Sequence, residues 1–179
     1  LEKLEAMEPI GRITQLDVVG AGKQLTRFGA TFEGIGLTAV EKTPGLRGLA
    51  GWVAGSPERG VMQIASPQVM VSLPRLYANQ LIAAVSGPLL WEHEEGATDT
   101  NTGWFEVDNP DALGRLQATV RLRPDTLPNL SLLASLTRGR GENVARYIPL
   151  RRLPEGASNW LAQAFVGGQV PEGRFLYEG

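Results

Sequence analysis

The chain has 179 residues, 17 Lys and Arg against 19 Asp and Glu, a net charge of −2 and no cysteine. That balance gives no basic field for nucleic acid or anionic membrane. The missing cysteines remove disulfides, thiol nucleophiles and cysteine-based metal sites, and fit an oxidising compartment. No run of about 20 apolar residues is present, so no spanning helix is expected.

Twenty-two Gly and 12 Pro cut the chain into short elements. Residues 1–9 are a charged lead-in. ITQLDV and RFGATFEGIGLTAV are extended and partly alternating, and Pro44-Gly45 marks a turn. LRGLAGWVAG reads as a glycine-rich strand, followed by a turn over 56–60 and the short strands VMQIAS and QVMVSL. Glycines repeated inside strands predict bulges and a strongly bent sheet. LIAAVSGPLLW is another strand, with Pro88 predicting an edge position or a break. The polar EHEEGATDTNTG reads as a turn-like link joining LLW to WFEVDN in a hairpin.

The clearest alternation comes next. Leu116, Ala118, Val120 and Leu122 share one face, and after RPDTLP so do Leu130, Leu132, Ala134 and Leu136. Period 2 makes these two one-sided strands of a hairpin, with Arg121 and Arg123 turned to water. A basic loop, TRGRGEN, follows. Ala157, Trp160, Leu161, Ala164 and Phe165 then fall at helical spacing between Pro154 and Gly167-Gly168, predicting a helix over about 155–166. At roughly 11 residues it is too short to stand alone, so its apolar face is expected to lie on the sheet. QVPEGRFLYEG closes as a strand. The fold class is mainly β: an extended, strongly curved antiparallel sheet, groove-like or partly closed, with one short helix near the C-terminus. LEKLEAMEP lacks a Met at position 1, and GRFLYEG stops inside a strand pattern. Residues 1–179 are therefore expected to be a single β-rich segment of a longer protein.

Candidate chemistry is sparse. His93, the only histidine, sits among Glu92, Glu94 and Glu95, but a continuing strand would turn both Glu92 and Glu94 away from it. A solvated hairpin tip is the better reading, and no metal site is expected. No G-x-S-x-G elbow accompanies it. GAGKQLT lacks the phosphate-loop spacing and reads as a hairpin turn. Asp108, Asp111 and Asp125 sit in turn-forming contexts. Arg138, Arg140, Arg146, Arg151 and Arg152 form a solvated face, or one that touches lipid phosphates or a neighbouring protein surface. Trp52, Trp91, Trp104 and Trp160 read as packing residues. No catalytic residues and no cofactor are expected; the chain does not read as an enzyme.

One stretch carries a resemblance. YIPLRRLPEGASNWLAQAFVGGQVPEGRFLYEG, through Tyr147, Ile148, Pro149, Trp160, Leu161, Ala164, Gly167, Gly168, Val170, Gly173 and Gly179, resembles a run of the YhdP-like proteins. These are a branch of the AsmA/TamB group of the Gram-negative envelope. PGLRGLAGWV (44–53) and LLWEHEEG…TGWFEVDNPDA (89–112) look similar too. The resemblance implies a periplasmic section of a longer protein anchored in the inner membrane. Its β-groove would be implicated in moving phospholipid to the outer membrane and in the outer-membrane barrier. The implied partners are phospholipid or another acyl-chain lipid, the rest of the parent chain and envelope proteins, with no nucleic acid. The lipid-binding candidates are Leu116, Ala118, Val120, Leu122, Leu130, Leu132, Ala134 and Leu136. Two alternatives stay open: the same residues as ordinary core beneath the helix, and a scaffold module without direct lipid binding.

Overall fold

The computed structural model describes residues 6–40, 43–74, 77, 79–94, 96–124, 126, 129–147, 154–164 and 166–179. Nearly all of them belong to one antiparallel sheet laid down in chain order. It begins with β1 (Ile10–Ala21), β2 (Gln24–Leu37), β3 (Gly45–Gly55), β4 (Arg59–Ser72) and β5 (Leu81–Glu94). It continues with β6 (Ala97–Thr102), β7 (Phe105–Asp108), β8 (Ala112–Leu122) and β9 (Asn129–Arg140), and ends with β10 (Gln169–Val170) and β11 (Gly173–Glu178). Each strand pairs with its neighbour, except that β6 and β7 share a lane between β5 and β8, and β10 and β11 share the edge beyond β9. A 3-10 turn, Gly141–Arg146, and one helix, α1 (Glu155–Ala164), complete the described elements.

Local chemistry sets the turns and breaks. Ala21 pairs with Gln24, so Gly22-Lys23 is a two-residue hairpin loop, and Gly22 at φ 63° supplies its left-handed position. Pro88 falls where β5 changes partners from β7 to β6; its carbonyl accepts the Gly103 N–H at 2.9 Å. VMQIAS and QVMVSL merge into one strand, β4, with an irregularity between Ser66 and Val69.

Three expectations are corrected. EHEEGATDTNTG is not only a turn-like link: β5 runs to Glu94, and Ala97–Thr102 pairs back along it as a strand of its own. The last strand is two short ones, both on β9. The helix is described over Glu155–Ala164, with Phe165 outside the described residues, and its apolar face is not sealed at the positions described. Ala157 and Ala164 are exposed and Trp160 is 67% exposed, while the Leu161 side chain and Phe165 lie outside the described residues.

The β3–β4 ladder is interrupted between Arg47 and Gly51. Ser66, 3% exposed, fills the gap: its Oγ accepts the Ala50 N–H at 2.8 Å and donates to the Ala50 carbonyl at 3.2 Å. Ser66→Ala leaves both backbone groups unmatched and is expected to cost about 1–3 kcal/mol. The check is a lower urea midpoint at unchanged slope; an unmoved midpoint would refute it.

Candidate lipid-facing surface

Residues directly opposite in an antiparallel ladder project to the same side, so the register sorts the side chains into two faces. One row runs Leu16, Ala30, Val53, Met62, Leu89 and Thr102 across β1 to β6. It continues through Ala118, Leu132 and Tyr177 on β8, β9 and β11. A parallel row runs Phe32, Gly51, Ile64 and Gly87 across β2 to β5, and a third runs Phe105, Leu116, Ala134 and Phe175 across β7 to β11. The other face carries Asp17, Gln63, Glu92, Asp99, Glu106, Arg115, Gln117 and Arg121. This side of the sheet is mainly apolar from β1 to β11, with the threonines of β6 the exception.

It curls toward that side. Phe28 on β2 and Trp91 on β5 stand three strand spacings apart, about 14 Å on a flat sheet. Their rings nevertheless stack with centroids 6.2 Å apart and planes within 16°. Between them in the same row lie Gly55 and Gly60. A Cβ on Gly60 would collide with the Trp91 ring, and one on Gly55 would come within 3.1 Å of it. The two glycines let both rings lie down on the sheet floor. Phe32, Ile64 and Phe105, each 7% exposed, are on this concave side too.

The concave face is covered only in part. Among the described residues no large side chain is completely buried, and the accessible surface is 12208 Å². A compact monomer of 19.3 kDa would expose about 8,500 Å². Of the candidate residues, Leu116, Ala118, Val120, Leu130, Leu132, Ala134 and Leu136 are half-buried and Leu122 is 43% exposed. The β8–β9 register brings them to one face: Leu116 opposite Ala134, Ala118 opposite Leu132, Val120 opposite Leu130.

The polar side groups sit outside this surface. Arg121 is exposed, and Arg123 chelates Asp99 through 2.5 and 3.3 Å contacts, holding that carboxyl below its usual range. Arg115 lies 4.6 Å over the Trp104 ring on the convex side. The arginine cluster resolves into Arg138 on Asp108 at 2.8 Å and Arg146 on Asp111 at 3.0 Å, while Arg151 and Arg152 lie outside the described residues, as does Asp125. His93 Nδ1 meets the Thr98 hydroxyl at 2.9 Å, with Glu92 and Glu94 on the other face.

One polar centre was not expected. Asp111, whose side chain is 13% exposed, accepts from Asn143 (2.7 Å), Arg146 (3.0 Å) and the Tyr147 hydroxyl (3.0 Å). Asn109 Oδ1 accepts the Asp111 and Ala112 N–H groups, which is the predicted turn chemistry, and its Nδ2 donates to the Tyr147 hydroxyl. Tyr77 donates to the Tyr147 carbonyl at 2.9 Å. The centre fastens the β7–β8 turn, the 3-10 turn and the stretch after β4 at one end of the sheet. Partners more than 30 residues away in the chain left no local signal of it.

Among the described residues no helix is long and apolar enough to cross a membrane. A family model described as YhdP protein matches residues 1–179. No curated protein and no solved structure matches the chain.

Proposed function

This chain belongs to the YhdP family along its whole length, and from that membership we propose that it is a section of a lipid path between the envelope membranes. In this reading its parent protein is held in the inner membrane and spans the periplasm. Phospholipid, or another acyl-chain lipid, moves along the concave face toward the outer membrane and so sustains the permeability barrier. The observation that supports the reading is the half-exposed, mainly apolar face that extends from β1 to β11.

Its physics suits a conductor. Each methylene moved from water onto an apolar surface gains up to about 0.8 kcal/mol. The strand lanes repeat at about 4.8 Å, so a chain shifted by one strand meets a similar surface. Binding is then strong in sum and nearly level across the apolar lanes. The backbone polar groups are spent in ladders, leaving few to be desolvated under a hydrocarbon. No catalytic step is involved; the surface acts by shape and polarity.

The long exposed edge of β1 supports a second reading, a scaffold that pairs with envelope proteins through its sheet edges. Native mass spectrometry of the purified chain with phosphatidylethanolamine separates the two. Bound phospholipid is expected, reduced about tenfold or more by Leu132→Asp on the concave face. Thr119→Asp on the convex face is expected to leave it unchanged. A folded chain that takes up no phospholipid would favour the scaffold.

A further inference from the structure

The apolar floor is interrupted in one lane. On β6 the concave face carries Thr98, Thr100 and Thr102, between Trp91 and Leu89 on β5 and Val120 and Leu122 on β8. Two of the hydroxyls are engaged. Thr98 meets His93 Nδ1 at 2.9 Å. Thr102 accepts the Ala118 N–H at 2.7 Å, which would otherwise fall in the gap where β8 changes partner from β6 to β7. Thr100 is different. It is half-buried, lies directly between Trp91 and Val120 in the row that the Phe28–Trp91 rings pave, and its hydroxyl bonds to no described residue.

A free hydroxyl on such a floor discriminates. Under bare hydrocarbon it loses its water and stays unmatched, which opposes binding in that register. Under a carbonyl oxygen it donates a hydrogen bond shielded from water, and the register is favoured. The apolar surface on either side then takes the hydrocarbon. We propose that Thr100 is a specificity-determining residue: it donates to the ester carbonyl at the head of an acyl chain, so the lipid pauses with its glycerol ester at β6. This deepens the function proposed above and rests on it.

The test compares two phosphatidylethanolamines of equal chain length, one with ester-linked chains and one with ether-linked chains lacking the carbonyls. Both are titrated against the whole chain in detergent-matched solution, with palmitate as a third ligand. The chain is expected to bind the diester about 5–10-fold more tightly than the diether, the effect of one matched hydrogen bond. Thr100→Val should erase that preference by weakening the diester alone, and Thr100→Ser should keep it. Equal binding of diester and diether by the unaltered chain overturns the assignment while leaving the lipid path standing, and needs no variant to fold. A Thr100→Val loss confined to palmitate overturns the ester in favour of a free carboxylate. Binding of none of the three ligands removes both the assignment and the lipid path.

Discussion

Gly51→Val is expected to destabilise the chain by about 3–5 kcal/mol, the combined cost of overpacking and backbone strain. Gly51 sits in the middle of the sheet, paired with Phe32 on one side and Ile64 on the other. A Cβ there would fall on the carbonyl oxygen of Gln63. That atom is backbone, and moving it breaks the rungs at Trp52–Gln63 and Val53–Met62. The glycine also leaves floor space between Phe32 and Ile64, two of the five buried apolar side chains among the described residues. Chemical denaturation gives the size of the effect, and amide exchange should locate it on β3 and β4. A Gly51→Ala chain with an unmoved midpoint would sink the argument, because its methyl already meets the carbonyl.

Asp111→Ala is expected to cost about 3 kcal/mol, a fall in melting temperature of about 6–12 °C for a chain of this size. Most of the loss comes from Asn143 and Tyr147, half-buried donors left without their acceptor. Arg146 contributes little, since its side chain is 66% exposed and surface pairs are weak. Burial first, then its hydrogen bond to Asp111, raises the Tyr147 phenol above its usual value near 10. The folded chain therefore holds that proton more firmly than the unfolded one. The linked stability is fully present below pH 10 and is lost as pH rises through the raised value. Tyr147→Phe should flatten that alkaline loss; an alkaline limb that persists in the variant would assign it elsewhere.

How much of this was legible in the sequence depended on how local the signal was. The β8–β9 hairpin could be read outright, because strict alternation from Leu116 and from Leu130 fixes both the strands and the shared face. Pro88 was misjudged as an edge position or a break: β5 runs through it unbroken, paired with Gln63, and only the partner on its other side changes there, where a residue without an N–H is tolerated. β6 was not readable. Its Thr, Asp and Asn residues have the composition of a turn, and only the register reveals that its threonines line the concave side. The Phe28–Trp91 stack was hidden for another reason: it joins strands three lanes apart over two glycines, and each of those glycines reads locally as a mere flaw in a strand. The helix was legible from its spacing, but its apolar face was assigned to the wrong surroundings. Periodicity identifies a face that can be buried and does not say what buries it.

The order of the sheet also governs how it comes apart. Every backbone rung joins strands that are neighbours, or next but one, along the chain, while the Phe28–Trp91 stack and the Tyr77–Tyr147 bond are side-chain links that reach across several lanes. Stability is then close to a sum of nearest-neighbour terms, as in a linear array. Loss of β1 or β11 costs only one interface, so opening starts at the edges and moves inward lane by lane. Melting should be broad, with a van't Hoff enthalpy well below the calorimetric one. Amide protection should peak on β3, β4 and β5 and fall toward both flanks. Under a pulling force the same array would lengthen in steps of one strand, a ratchet of small extensions where a globular domain gives a single rupture.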